Sequence, residues 1–310
     1  MMHWLIDESN LFKFDLNPPM KWRIATVGGA ILPYEGRKIW LMSHKAIRKG
    51  SDYTTQESIC DVLDVLIKCR VKGILRIGDT GHVSLQEADI FRQGWINPHY
   101  IYADAQPQHM RESLRFHLDN LMGKGEYKFS NQEFFKIVNI LDTITGFIQW
   151  LTQNLPKIRA IDLREIKLII DDQVKASLTT LRSFVHYFLW RRSHQGLFTC
   201  PPNSRHLLKD YTRKEGDQVF LDTTKLFDDL IVGEKANLDD KHPELKIADL
   251  LSNFSRRALS GDFDIKVVRK LEKILVAVNP VCFDNHQDIV VNLPTKNQDA
   301  INLLLAIKPF

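Results

Sequence analysis

The sequence predicts an α/β protein, and three observations carry the reading. Two short apolar runs, over residues 3–8 and 165–172, lack the polar alternation of a half-exposed strand and suit strands covered on both faces. Longer stretches place apolar residues at helical spacing, as at Ile59, Val62, Leu63, Leu66 and Ile67. The composition, 44% hydrophobic and 26% charged, is that of an ordinary globular chain and excludes a disordered or collagen-like one.

The elements follow in order. Residues 3–8 read as a buried strand ending in Asp7-Glu8, and 9–20 as a loop closed by Pro18-Pro19. Residues 21–32 read as a second strand, stopped at Pro33 and forming a hairpin-like pair with the first. Gly28-Gly29 inside it signals a bulge or a close backbone approach. No phosphate-loop pattern surrounds these glycines. A helix is expected over 55–70 and a strand over 71–78.

From 85 to about 160 the pattern is helical, with Leu114, Leu118 and Leu121 on one helix and Phe134 to Leu151 on a long one. This block reads as a helical insertion. The clearest strand, 165–172, is followed by a helix over 176–192 and short strands at 217–222 and 228–232. Pro243 precedes a helix over 244–259 that Gly261 closes. A helix over 264–278, a strand at 288–293 and a final helix complete the chain. The expected organisation is one domain over 1–263, with the insertion at about 85–160, and a C-terminal helical extension over 264–310.

No apolar stretch approaches the roughly 20 residues that cross a bilayer. The start, Met1 to Asp7, lacks a basic segment and an apolar signal core. The expectation is a cytoplasmic protein with no membrane association. Cys60, Cys69, Cys200 and Cys282 form no CxxC pair and read as reduced thiols.

Charge is unevenly spread. The chain carries a net +4, yet Arg182, Arg191, Arg192, Arg205, Lys209, Arg213 and Lys214 face a single acid, Asp210, a local +6. Aromatic residues interleave with them, including Phe184, Tyr187, Trp190 and Tyr211. That mixture suits a polyanion with stackable bases, and it equally suits a solvated helix face over core aromatics.

Two strands share one design. Trp4-Leu5-Ile6 leads into Asp7, and Leu168-Ile169-Ile170 leads into Asp171. If the strands lie side by side and parallel, both acids reach the sheet edge where open α/β sheets bind ligands. A third acid, Asp249, interrupts the apolar stripe Leu245, Ile247, Ala248, Leu250, Leu251 and Phe254. On the helical wheel it lines up with Ser252, Asn253 and Arg256. Taken singly, each acid also fits a solvated strand end or helix edge. Three carboxylates at one point would repel one another, and a hard divalent cation removes that penalty.

The stretches Leu5-Ile6-Asp7-Glu8-Ser9, Leu168-Ile169-Ile170-Asp171-Asp172 and Leu245-Lys246-Ile247-Ala248-Asp249-Leu250-Leu251, with Arg256-Arg257 after the last, carry a resemblance. In this order they resemble the marks of a bacterial family whose chains open with an Asp-Glu-Ser-Gly strand and close with an Ala-Asp-Leu helix. That family is grouped with the ribonuclease-H-like superfamily. Asn10 stands where the family usually has Gly, and Lys246 where it often has Gln.

The resemblance implies a ribonuclease-H-like mixed sheet with flanking helices. It implies that Asp7, Asp171 and Asp249 hold Mg²⁺ or Mn²⁺ and serve as the catalytic acids of a nuclease. Water activated by the cation would attack the phosphodiester in line. Glu8, Asp172 and Lys235 are expected as supporting residues. Arg182, Arg191, Arg192, Arg205, Lys209 and Arg213 are expected to guide DNA or RNA. A protein partner or a homodimer is compatible with this reading. The alternative is a non-catalytic protein of a bacterial defence or mobile-element system that binds nucleic acid or a protein partner. His194, His206 and His242 are rival polar candidates, and the GxSxG pattern of a serine hydrolase is absent.

Overall fold

A computed structural model describes residues 1–9, 24–79, 83–126, 128–159, 161–171, 181, 184–185, 209–215, 218–236, 242–280 and 296–307. Among the described residues, strands β1 (Met2–Ser9), β2 (Ile24–Leu32), β3 (Lys72–Asp79), β4 (Ile166–Asp171), β7 (Ile231–Ala236) and β8 (Leu275–Pro280) form one mixed sheet in the order β7-β4-β1-β2-β3-β8. β1, β2 and β3 run antiparallel in turn, whereas β4 is parallel to β1, β7 to β4, and β8 to β3. Strands β5 (Thr212–Glu215) and β6 (Gln218–Leu221) pair separately.

Side-chain alternation divides the core in two. From β1 and β4, Met2, Trp4, Ile6, Leu168 and Ile170 enter one cluster. That face is covered by the helices expected over 85–160, which form as α3 (Leu85–Asp104), α4 (Gln108–Leu121) and α5 (Asn131–Asn154). Leu5 and Ile169 enter the other cluster. There they meet α2 (Gln56–Lys68), α7 (Lys246–Leu259), α8 (Ile265–Ile274) and α9 (Gln298–Leu305). The both-faces burial expected of β1 and β4 is therefore observed. The long apolar helix α5 lies directly on the sheet, its Phe147 ring 5.1 Å from that of Trp4.

The Gly28-Gly29 signal resolves into close approach on both faces, with no break in the β1–β2 register. A Cβ on Gly28 would lie 2.8 Å from Ser252 N and 2.9 Å from Ala248 O of α7. One on Gly29 would lie 2.4 Å from Thr143 Cγ2 of α5. Both helices can press this closely only where β2 has no side chains.

Three local expectations are corrected. The helix expected over 264–278 stops at Ile274, and Leu275–Pro280 becomes strand β8 on the free edge of β3. The apolar run Ile274 to Val278 suits either state locally, and the unpaired edge of β3 decides it. The strand expected over 228–232 is divided between helix α6 (Thr223–Leu230), capped by Asp222 accepting from Lys225 N at 3.0 Å, and β7. Helix α1 (Tyr34–Ser43) follows Pro33, which the sequence marks only as a strand stop. The helix expected over 176–192 and the strand at 288–293 lie largely or wholly outside the described residues.

Candidate functional site

Asp171 closes β4, and Asp7 stands two residues before the end of its parallel neighbour β1. The register pairs Ile6 with Ile170, so the two acids stand side by side one step beyond. Alternation puts both on the α7 face, in line with Leu5 and Ile169. Each is 4% exposed, and their carboxyl groups are hydrogen-bonded to each other. Asp7 Oδ1 also accepts from the Glu8 amide at 2.7 Å.

Asp249 reaches the same region from α7. The close seat of α7 on Gly28 matters here, because Gly28 is the cross-strand partner of Asp7. Helix α1 sets the entry of α7: Trp40 Nε1 donates to Pro243 O at 3.1 Å, and Arg37 Nε donates to the buried Glu244 at 2.5 Å. Asp249 is half-buried, and its Oδ2 accepts from the Gly50 amide at 2.7 Å.

The electrostatics agree with convergence. Burial raises the Asp7 carboxyl well above the usual range, and the charges of Asp171 and Asp249 raise it further. Asp249 is raised by burial first; the Gly50 amide and Lys49 pull it down, and Asp171 pushes it up. A hydrogen bond between two carboxyl groups needs a proton on one of them. That proton marks where positive charge is wanted.

Glu8 points the other way, as alternation requires. It forms a buried ion pair with Lys136 of α5, and burial raises its carboxyl despite that lysine. A crevice of about 10 Å³, the room of about one water, lies between Asp7, Asp171, Glu8 and Ile140. Lys235 pairs in register with Ile170, whereas Asp171 pairs with Ala236, so Lys235 belongs to the sheet face opposite Asp171. Asp172, Arg182, Arg191, Arg192 and Arg205 lie outside the described residues. Lys209 falls in a 3₁₀ turn over Lys209–Tyr211, and Arg213 in β5.

Sequence reasoning did not single out Lys49, Gly50 or Lys136 for this site, and it took Arg256 as a wheel neighbour of Asp249 and as part of the Arg256-Arg257 pair after the third stretch. Arg256 Nε donates to Ser9 Oγ at 3.0 Å, which brings a half-buried guanidinium to the end of β1. Only the Gly28-Gly29 dipeptide carried a local signal of this packing. His242 Nε2 lies 2.9 Å from Glu234 Oε1, in a polar row with Lys167, and Glu234 pairs in register with Ile169, one same-face step before Asp171. His194 and His206 lie outside the described residues.

Among the described residues, no three or more His, Cys, Asp or Glu side chains are arranged as a ready-made metal cage. Asp249 is turned onto Gly50, and Asp7 and Asp171 are turned onto each other. The donor chemistry nonetheless fits a hard divalent cation, which prefers carboxylate oxygens and would replace the shared proton. Comparison with protein-family models, curated proteins and solved structures gives no match.

Proposed function

We propose that the chain is a Mg²⁺- or Mn²⁺-dependent nuclease of ribonuclease-H-like architecture. The observation that carries this reading is the buried, hydrogen-bonded Asp7–Asp171 pair near the carboxyl ends of adjacent parallel strands, with Asp249 in electrostatic reach. The strand order β3-β2-β1-β4-β7, antiparallel and then parallel, supports the architecture.

Asp7, Asp171 and Asp249 would hold the cation. When bound, it supplies charge neutralisation for a phosphodiester and lowers the pKa of the attacking water. The protein's own contribution is positional. The two strands present two carboxylates from a rigid sheet, and the Gly50 amide orients the third. Lys49 and Arg256 bring positive charge to the same edge, where a nucleic-acid backbone would pass. The basic segment over 182–214 would extend that track.

The test is incubation of purified protein with mixed single- and double-stranded DNA and RNA plus Mn²⁺, beside Asp171→Asn. Cleavage that needs both the cation and Asp171 is expected. Salt-sensitive binding with no cleavage under any divalent cation would replace this reading with the non-catalytic one.

A further inference from the structure

The end of the sheet away from the acids carries a second cavity, of about 280 Å³. It lies where β1 begins at Met2, β2 ends near Ile31 and β3 begins at Lys72. A strand advances about 3.3 Å per residue, so the five steps from Met2 to Asp7 set this cavity about 17 Å from the acids.

Its charges are unbalanced. Arg70, Lys72, Lys157 and Arg159 line it together with Glu35 and Asp162. The two acids are already engaged: Arg159 reaches Asp162 at 3.5 Å and Glu35 at 3.9 Å, and Asp162 accepts from the Tyr34 amide at 2.7 Å. Among the described residues, no acid pairs with Arg70, Lys72 or Lys157. Three cations gathered around one hollow repel one another, and a bound anion relieves that repulsion.

Two further features are independent of charge. Arg70 has φ 57°, the left-handed geometry that glycine usually takes after a helix. The chain thus keeps a guanidinium where a bare backbone would be easier. The lining also includes half-buried Trp150 of α5, with Asn154 one turn on. Asn154 donates its amide nitrogen to Trp150 O at 2.9 Å, which leaves its oxygen to accept from a ligand N–H.

We propose that this cavity binds a nucleoside monophosphate, with the phosphate among Arg70, Lys72 and Lys157 and the base against the Trp150 indole. Indole faces accept every base by stacking, and lysine and arginine hold phosphate. The volume falls just below the roughly 300 Å³ at which drug-sized sites begin, which favours one nucleotide over a longer strand.

Isothermal titration of the full chain with AMP, UMP, adenosine and inorganic phosphate tests the assignment. Either nucleotide should bind wild type at least tenfold more tightly than adenosine or phosphate does. Lys72→Ala with Lys157→Ala should weaken nucleotide binding at least tenfold, and Trp150→Leu should weaken AMP while sparing phosphate. Circular dichroism checks that each variant folds. Should the double variant or Trp150→Leu fail to fold, Lys157→Gln, at an exposed position, must still weaken AMP binding. The proposal is overturned if no nucleotide binds at millimolar concentration, if phosphate alone binds as tightly as AMP, or if the lysine variants bind like wild type. Loss of AMP binding in Asp171→Asn would place the ligand at the acids and overturn it too.

Discussion

Asp7 and Asp171, 164 positions apart in the chain, share a hydrogen bond between carboxyl groups that neighbouring parallel strands carry to the same sheet edge. Such a pair is stable only with positive charge between its oxygens, supplied by a proton or by a cation. The arrangement therefore predicts a stability sensitive to pH and to amide substitution and, under the proposed function, to divalent metal.

The pH dependence has a definite sign. The folded-state pKa values of Asp7 and Asp249 are raised above 3.8. Between 3.8 and those values the native state binds more protons than the unfolded one, so their contribution falls as pH rises. His3 acts oppositely: burial lowers it to about 4, so its contribution grows as pH rises from about 4 to 6.5. The Asp term is isolated by comparing variants. Asp7→Asn should unfold at a higher temperature than wild type at pH 7 without divalent metal, by about 1.5 °C for each kcal/mol relieved. The gap should close as pH approaches 4. A Tm for Asp7→Asn below wild type at pH 7 would contradict the charge repulsion.

Divalent metal should stabilise the protein through the same acids. Mn²⁺ at 100 times its dissociation constant adds about 2.7 kcal/mol, readable as a rise in Tm. The rise should vanish in Asp7→Ala with Asp171→Ala. A rise that survives this double variant would place the metal elsewhere.

Gly28→Ala tests the seat of α7. The added methyl meets backbone atoms of Ala248 and Ser252, which cannot rotate away. Urea denaturation should show a loss of about 1–3 kcal/mol. The Mn²⁺ shift should shrink as well, because Asp249 moves with the helix. Wild-type stability in this variant would show that α7 sits further from the sheet.

Lys136→Met removes the partner of a buried carboxylate. A loss of about 3 kcal/mol is expected, since the remaining charge is left uncompensated. Adding Glu8→Gln should recover part of that loss, and the double-mutant cycle gives the coupling. Additive losses would mean that the pair is not held together in solution.

The α/β class, the runs of β1 and β4, the helix carrying Asp249 and the close approach at Gly28-Gly29 were legible in the sequence. Each depends on local pattern: unbroken apolar runs, helical spacing, or a residue without a side chain. What the sequence left open depended on partners distant along the chain. Leu275–Pro280 became a strand because β3 offers an unpaired edge, and Lys235 went to the face opposite Asp171 because of pairing register. The Gly50 amide met Asp249 because α1 and Gly28 set the position of α7. The sequence by itself determined which side chains carry charge and which segments can be buried. Tertiary structure alone decided which charges meet, because strand register and helix docking are set by the packing of whole elements and have no counterpart in residue spacing.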